Sequence, residues 1–125
     1  MYMNNYEIGQ IGQKLVLLKY IEDGYELIAE NFNYYMTEKV GEIDIILVKE
    51  NRLYLVEVKT RTSEVFGEIL SQITRKKLRC VYKSYLGFVK KNTKYQNYFV
   101  QFDVATVLGE EINIYPNAIS FEGVL

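Results

Sequence analysis

GEIDIILVKENRLYLVEVKTR, Gly41 to Arg61, holds two apolar runs, Ile43 to Val48 and Leu53 to Val58, parted by Lys49-Glu50-Asn51-Arg52. Both runs have strand length and are rich in Ile, Leu and Val. This predicts a β-hairpin turning at Glu50-Asn51 or over Lys49 to Arg52. Either loop gives one register, because paired residue numbers in an antiparallel ladder keep a constant sum. Lys49 is then expected opposite Arg52, Ile46 opposite Leu55, Asp44 opposite Glu57 and Glu42 opposite Lys59. Alternation puts Ile43, Ile45, Leu47, Tyr54, Val56 and Val58 on one face. The other face carries Ile46, Val48, Leu53 and Leu55, then ends in Glu42, Asp44, Glu57 and Lys59. Apolar residues on both faces predict a central position in a sheet covered on both sides.

Charges at one end of such a strand pair are costly. Opposed Asp44 and Glu57 would have Cβ atoms roughly 4.5–5.5 Å apart and repel. A divalent cation between them relieves that repulsion, and Lys59 lies on the same face. Hard oxygen ligands beside an ammonium suit Mg²⁺-assisted attack of water on a phosphodiester. Asp44 and Glu57 would hold the ion, while Lys59 would orient or deprotonate the water and offset developing negative charge. An ion-pair cluster on a sheet rim, with Lys59 neutralising Glu42 or Glu57, explains the same spacing.

The chain of 125 residues has room for one domain spanning 1–125, and its 49% hydrophobic and 25% charged content is that of a globular protein. A single cysteine, Cys80, excludes an internal disulfide and a cysteine metal cage. With no histidine present, chemistry must come from carboxylates, lysines or hydroxyls. No apolar run reaches membrane-spanning length, and the first residues lack a basic region followed by an apolar one, so a cytoplasmic location is expected. The net charge of −1 is unevenly spread. From Ile69 to Phe102 there is no acidic residue, while Arg75, Lys76, Lys77, Arg79, Lys83, Lys90, Lys91 and Lys94 all fall there. One-sided charge of this kind suits a polyanion, although a solvated helix face looks the same.

Asn4 or Asn5 can cap a first helix running to about Glu22, with Ile8, Ile11, Leu15, Leu18 and Glu22 as its stripe. Gly9 and Gly12 lie on it, and close approach of another element would explain them. Tyr25 to Tyr35 reads as a strand. After the hairpin come a polar loop, in which Arg61 can contact phosphate, and Phe66-Gly67 as a packed aromatic with a turn glycine. A second helix is expected from Glu68 or Ser71 to about Lys91, its basic residues clustered in the first half. Tyr98 to Leu108 reads as a strand with one buried-type acid, Asp103, and Ile112 to Tyr115 as a short last strand before Pro116. The order is α-β-β-β-α-β-β, an α/β domain with a mixed β-sheet flanked by helices.

With these residues assembled, the chain resembles the YraN-type family of bacterial endonuclease-like proteins, within the PD-(D/E)xK nuclease superfamily. The most specific matches are GEIDII (Gly41 to Ile46) and VEVKTR (Val56 to Arg61), followed by Phe66-Gly67. The resemblance implies a restriction-endonuclease-like fold, with Asp44, Glu57 and Lys59 as the catalytic D…E-x-K core. It implies Mg²⁺ or Mn²⁺ on Asp44, Glu57 and the backbone carbonyl of Val58. Glu42 belongs to the same motif, as an auxiliary ligand or as a partner of Lys59. Three positions depart from the family pattern: Gln13 stands where an early glutamate helps bind metal, Leu78 where a glutamine follows lysine, and Gln101 where an arginine is usual. A neutral amide at Gln13 would be a weaker metal ligand than a carboxylate.

The expected function is metal-dependent hydrolysis of DNA, including branched or damaged forms. The expected partners are nucleic acid, DNA ahead of RNA, and a second copy of the chain, with no membrane. Arg61, Arg75, Lys76, Lys77, Arg79 and Lys83 are the expected nucleic-acid contacts. A nucleic-acid-binding module without catalysis and a protein-interaction domain are the alternatives.

Overall fold

Asn4 opens the first helix: its side chain accepts from the Glu7 amide at 2.8 Å, and helix α1 runs Asn5–Glu22. The computed structural model describes residues 3–61, 68 and 71–121; for Arg61 only the backbone is described. The Phe66-Gly67 turn and most of the polar loop before it lie outside the described residues.

Strands β1 (Glu26–Tyr35), β2 (Lys39–Lys49) and β3 (Arg52–Arg61) follow, then helix α2 (Arg75–Lys91), a 3₁₀ turn (Thr93–Tyr95), β4 (Phe99–Leu108) and β5 (Glu111–Ile119). This is the order expected from the sequence. The sheet order is β1-β2-β3-β4-β5. All neighbours are antiparallel except β3 and β4, whose parallel pairing requires the crossover that contains α2. The described residues thus form an α/β fold, a mixed sheet with α1 on one face and α2 on the other.

The hairpin turns at Glu50-Asn51, with Glu50 in the left-handed region at φ 56°. Lys49 pairs with Arg52 and Ile46 with Leu55, the expected register. Ile45, Ile46, Leu47, Leu53, Leu55 and Val56 are at most 1% exposed, so the hairpin is the centre of the core. Each such side chain contributes about 1.5–3 kcal/mol by leaving water. Ile45, Leu47, Val56, Ala105 and Val107 pack with Val16, Leu17 and Tyr20 of α1. Ile46, Val48, Leu53, Leu55, Phe102 and Val104 pack with Leu78, Val81, Tyr85 and Phe88 of α2.

Several expectations are corrected. Ile43, grouped with Ile45 and Leu47 by simple alternation, packs in the α2 cluster, whereas those two face α1. The alternation breaks at Asp44, next to Asn31 of β1, whose backbone is left-handed at φ 50°. The stripe Ile8, Ile11, Leu18 of α1 faces outward, and the buried face is Gly12, Gln13, Val16, Leu17 and Tyr20. Apolar residues lie around much of α1, so periodicity could not choose the face; close approach at Gly12 does. A Cβ on Gly12 would collide with the Thr60 hydroxyl of β3, whereas one on Gly9 would meet nothing within 4 Å.

Glu68 and Ser71 are helical as expected, but the helix does not run on: Thr74 is extended (φ −77°, ψ 164°), and its hydroxyl caps the Lys77 amide at 3.1 Å to start α2 at Arg75. Strand β5 does not stop before Pro116 but continues to Ile119. An edge strand tolerates proline, and the register slips here. Asn117 is left-handed (φ 49°), and its amide donates to the buried Asp103 carboxylate at 2.9 Å. Among the described residues no helix is long and apolar enough to cross a membrane.

Candidate metal and phosphodiester site

Strands β2 and β3 part at Asp44. The β2–β3 ladder ends with Ile45 opposite Val56. Beyond it β2 stays with β1 through Phe32–Ile43 and Asn33–Glu42, while β3 follows β4 from Glu57–Val104 to Arg61–Leu108. The expected ladder pairs Asp44–Glu57 and Glu42–Lys59 are therefore corrected: neither is formed. Each strand is held by its outer neighbour, so the inner pair splays. Asp44 fills the opening, its Oδ2 accepting from the Val58 amide at 2.8 Å where a ladder carbonyl would stand. In an extended residue the N–H and C=O point to the same edge, so the Val58 carbonyl faces the same opening.

Glu57 is 6% exposed and carries two ammonium partners on one oxygen. Lys77 Nζ lies 2.7 Å from Oε1 and Lys59 Nζ 3.3 Å from it. Lys59 is the expected neighbour. Lys77, expected among the nucleic-acid contacts, is placed against the Glu57 carboxylate. It comes from the first turn of α2, which starts at the Thr74 cap. The sequence showed a run of basic residues there but not which one turns inward.

Burial, reinforced by the nearby Glu57 charge, pushes the Asp44 carboxyl up to about 7; the Val58 amide and Lys77 act in the opposite direction. For Lys77 burial is the largest effect and opposes the charge, but the Glu57 charge and hydrogen bond, with Asp44 and Glu42, together outweigh it and hold the ammonium above its ordinary range. The cluster is short of positive charge at Asp44 even with both lysines present.

Gln13 is buried at 4% exposure, and its amide nitrogen lies 3.2 Å from the Asp44 carbonyl, 3.2 Å from Asn31 Oδ1 and 3.3 Å from Glu30 Oε2. It thereby ties α1 to β1 and to the backbone of Asp44. Nothing in the sequence marks Glu30; Asn31 is marked as an Asn in mid-strand, a residue that tolerates the left-handed region. Glu42 turns to Lys39 at 3.0 Å, not to Lys59. Arg75, Lys76, Arg79 and Lys83 lie on the exposed side of α2. For Arg61 the backbone continues β3, and its side chain is outside the described residues.

The donors suit a hard divalent ion. Among the described residues Asp44 Oδ1 and Glu57 Oε2 accept no hydrogen bond, and the Asp44 charge lacks a full counter-charge. No three acidic or sulfur side chains among the described residues form a closed metal cage. An ion on Asp44, Glu57 and the Val58 carbonyl would therefore keep several waters, as Mg²⁺ does. Asp44, Val58 and Lys59 line a groove of about 820 Å³ whose other wall is the N-terminal half of α1, including Gly12 and Gln13. Of the three expected catalytic side chains, Asp44 and Lys59 line this groove and Glu57 is not among its lining residues.

Residues 13–107 match the model of the uncharacterised protein family UPF0102. A UPF0102 protein of Sulfurihydrogenibium sp. (strain YO3AOP1) is 37% identical over 106 residues, covering 84% of this chain and 88% of that one. A UPF0102 protein of Clostridium botulinum (strain Kyoto / Type A2) is 32% identical over 114 residues, covering 90% and 89%. One from Acinetobacter baumannii (strain AYE) is 30% identical over 98 residues, covering 78% and 71%. The matched span holds Gln13, Asp44, Glu57, Lys59 and Lys77, so the whole cluster lies within the shared region. The chain belongs to the UPF0102 family, the YraN-type family that its GEIDII and VEVKTR segments resemble.

Proposed function

We propose that this protein is a metal-dependent endonuclease that hydrolyses phosphodiester bonds of DNA, branched or damaged forms included. The observation that carries the reading is the opening between β2 and β3. There Asp44, Val58 and Lys59 line a groove, and the Lys59 ammonium lies 3.3 Å from Glu57. A bound Mg²⁺ or Mn²⁺ would supply a Lewis acid for the phosphoryl oxygen and lower the pKa of the attacking water. Asp44 and Glu57 hold that position, each through an oxygen that no other described residue occupies. Lys59 orients the water and offsets negative charge growing on the phosphoryl oxygens as the bond to the leaving sugar oxygen breaks. Gln13 fixes the Asp44 backbone. Arg75, Lys76, Arg79 and Lys83 attract the phosphate backbone away from the scissile bond.

The test is cleavage of duplex, nicked, single-stranded and junction DNA, and of RNA, with Mg²⁺ or Mn²⁺. Cutting is expected to need the metal and to vanish in Asp44→Ala, Glu57→Ala and Lys59→Ala with folding retained. Wild-type protein that cuts none of these forms with either ion overturns the reading.

One observation favours a second reading, a nucleic-acid-binding module without catalysis. Glu57 Oε1 is already neutralised by two ammonium groups. That reading expects salt-sensitive DNA binding that survives all three substitutions, with no cleavage.

A further inference from the structure

Lys59 and Lys77 reach the same oxygen of Glu57 from different directions, and their freedom differs. Lys59 sits on Glu57's own strand, and its side chain is 17% exposed. Lys77 arrives from the neighbouring helix, and its side chain is 38% exposed. It lies on the wall of a second, smaller groove of about 310 Å³ formed by Gly41, Glu42, Thr74, Lys76, Cys80 and Val81. That groove gives its ammonium somewhere to go. Its backbone is fixed by the Thr74 cap, so only the flexible stem has to move.

We infer that Lys77 is the resident counter-cation of Glu57, held on the carboxylate until a divalent ion arrives and displaced from it when the ion binds. This inference rests on the metal-site reading above and deepens it. A divalent ion and an ammonium 2.7 Å from a carboxylate oxygen draw on the same negative charge. Each weakens the hold of the other. Glu57 is nearly buried, so without metal it needs a cation, and with Lys59 remaining on the same oxygen it keeps one when Lys77 leaves. Lys77 keeps the metal-free site from opening or collapsing, and it weakens metal binding in return. Once displaced it stands in the groove beside the exposed Lys76, free to meet a phosphate. Metal entry and substrate capture are then linked through one side chain. Lys77 is thus a positioning residue, acting through Glu57.

Mn²⁺ alone, titrated calorimetrically into wild type, Lys77→Met and Lys77→Arg, tests this. Lys77→Met is expected to bind Mn²⁺ about tenfold more tightly or better, the effect of removing one competing ion pair, and Lys77→Arg to stay near wild type. In a Glu57→Gln background Lys77→Met is expected to change nothing. Thermal unfolding supplies the second readout: without metal Lys77→Met unfolds earlier than wild type, and Mn²⁺ raises its midpoint by more. Equal or weaker Mn²⁺ binding by Lys77→Met overturns the inference and leaves the metal site standing. Binding by Lys77→Met where wild type shows none supports it in extreme form. No binding by either protein overturns the inference and the metal site together.

Discussion

The Val58 amide donates to Asp44 Oδ2 at 2.8 Å, at the point where β2 and β3 stop pairing. A side chain takes over from the backbone there, so the sheet opens without leaving the β3 amide unpaired in a partly buried place. The same bond fixes the direction of the Asp44 carboxylate. The opening and its central acid are therefore one structural feature.

Asp44 makes metal-free stability fall as pH rises. Its carboxyl is pushed up to about 7 from an ordinary 3.8, burial being the main cause. The folded protein holds this proton more tightly than the unfolded chain does. The contribution is complete below the unfolded value and disappears as pH passes through about 7. Relative to Asp44→Asn, which cannot titrate, wild type is expected to lose up to about 3 kcal/mol between pH 5 and pH 8. Urea unfolding in a chelating buffer measures the difference; a gap that does not change with pH refutes it.

Gly12 and Gly9 are expected to respond oppositely to alanine. At Gly12 the new methyl meets the Thr60 hydroxyl, and α1 must shift from β3 at a cost of about 1–3 kcal/mol. At Gly9 there is open space, and removing a helical glycine gains up to about 1 kcal/mol. Denaturant midpoints for the two variants decide this. Similar losses at both positions would show that the helix, not the contact, sets the requirement.

Asp103 holds three elements at once. Its carboxylate accepts from the Tyr20 hydroxyl of α1 at 2.9 Å, from Gln101 Nε2 at 2.8 Å and from the Asn117 amide of β5 at 2.9 Å. Asp103→Ala strands the buried Tyr20 hydroxyl and frees the half-buried Gln101 amide and the Asn117 N–H of the edge strand, and is expected to cost about 3 kcal/mol. Tyr20→Phe removes a single bond and should cost about 1 kcal/mol. If the two variants unfold at the same denaturant concentration, the acid is not the joint described here.

Arg75, Arg79 and Lys83 are exposed on one side of α2, so alanine at all three leaves the core untouched. Stability is expected within about 0.5 kcal/mol of wild type per site. DNA affinity is expected to fall, and the slope of log affinity against log salt to flatten by about 0.9 for each lost phosphate contact. Fluorescence anisotropy over a salt series measures both. An unchanged slope would remove this face of α2 from the interface.

The hairpin was legible because its strands are apolar on both faces and its register follows from the loop alone. Asp44, Glu57 and Lys59 were legible because charges beside such runs must be accounted for. The face of α1 was not legible: its outward Ile8, Ile11 and Leu18 have the spacing of a core stripe, and only packing at Gly12 selects the other side. Lys77 was hidden among five basic residues because direction depends on where Thr74 starts the helix. The length of β5 was hidden by Pro116, which an edge strand can accept once Asp103 binds the displaced Asn117 amide.

Sequence by itself determined the element order, the hairpin register up to Ile45–Val56 and the residue types available for chemistry. Those rest on local periodicity, turn geometry and composition, all written along the chain. Only the tertiary structure decided where β2 leaves β3, which lysine of α2 faces Glu57, and that Gln13, Glu30 and Asn31 gather behind Asp44. These depend on competition between neighbouring strands and on helix docking, which involve residues far apart in the chain and leave no periodic mark in it.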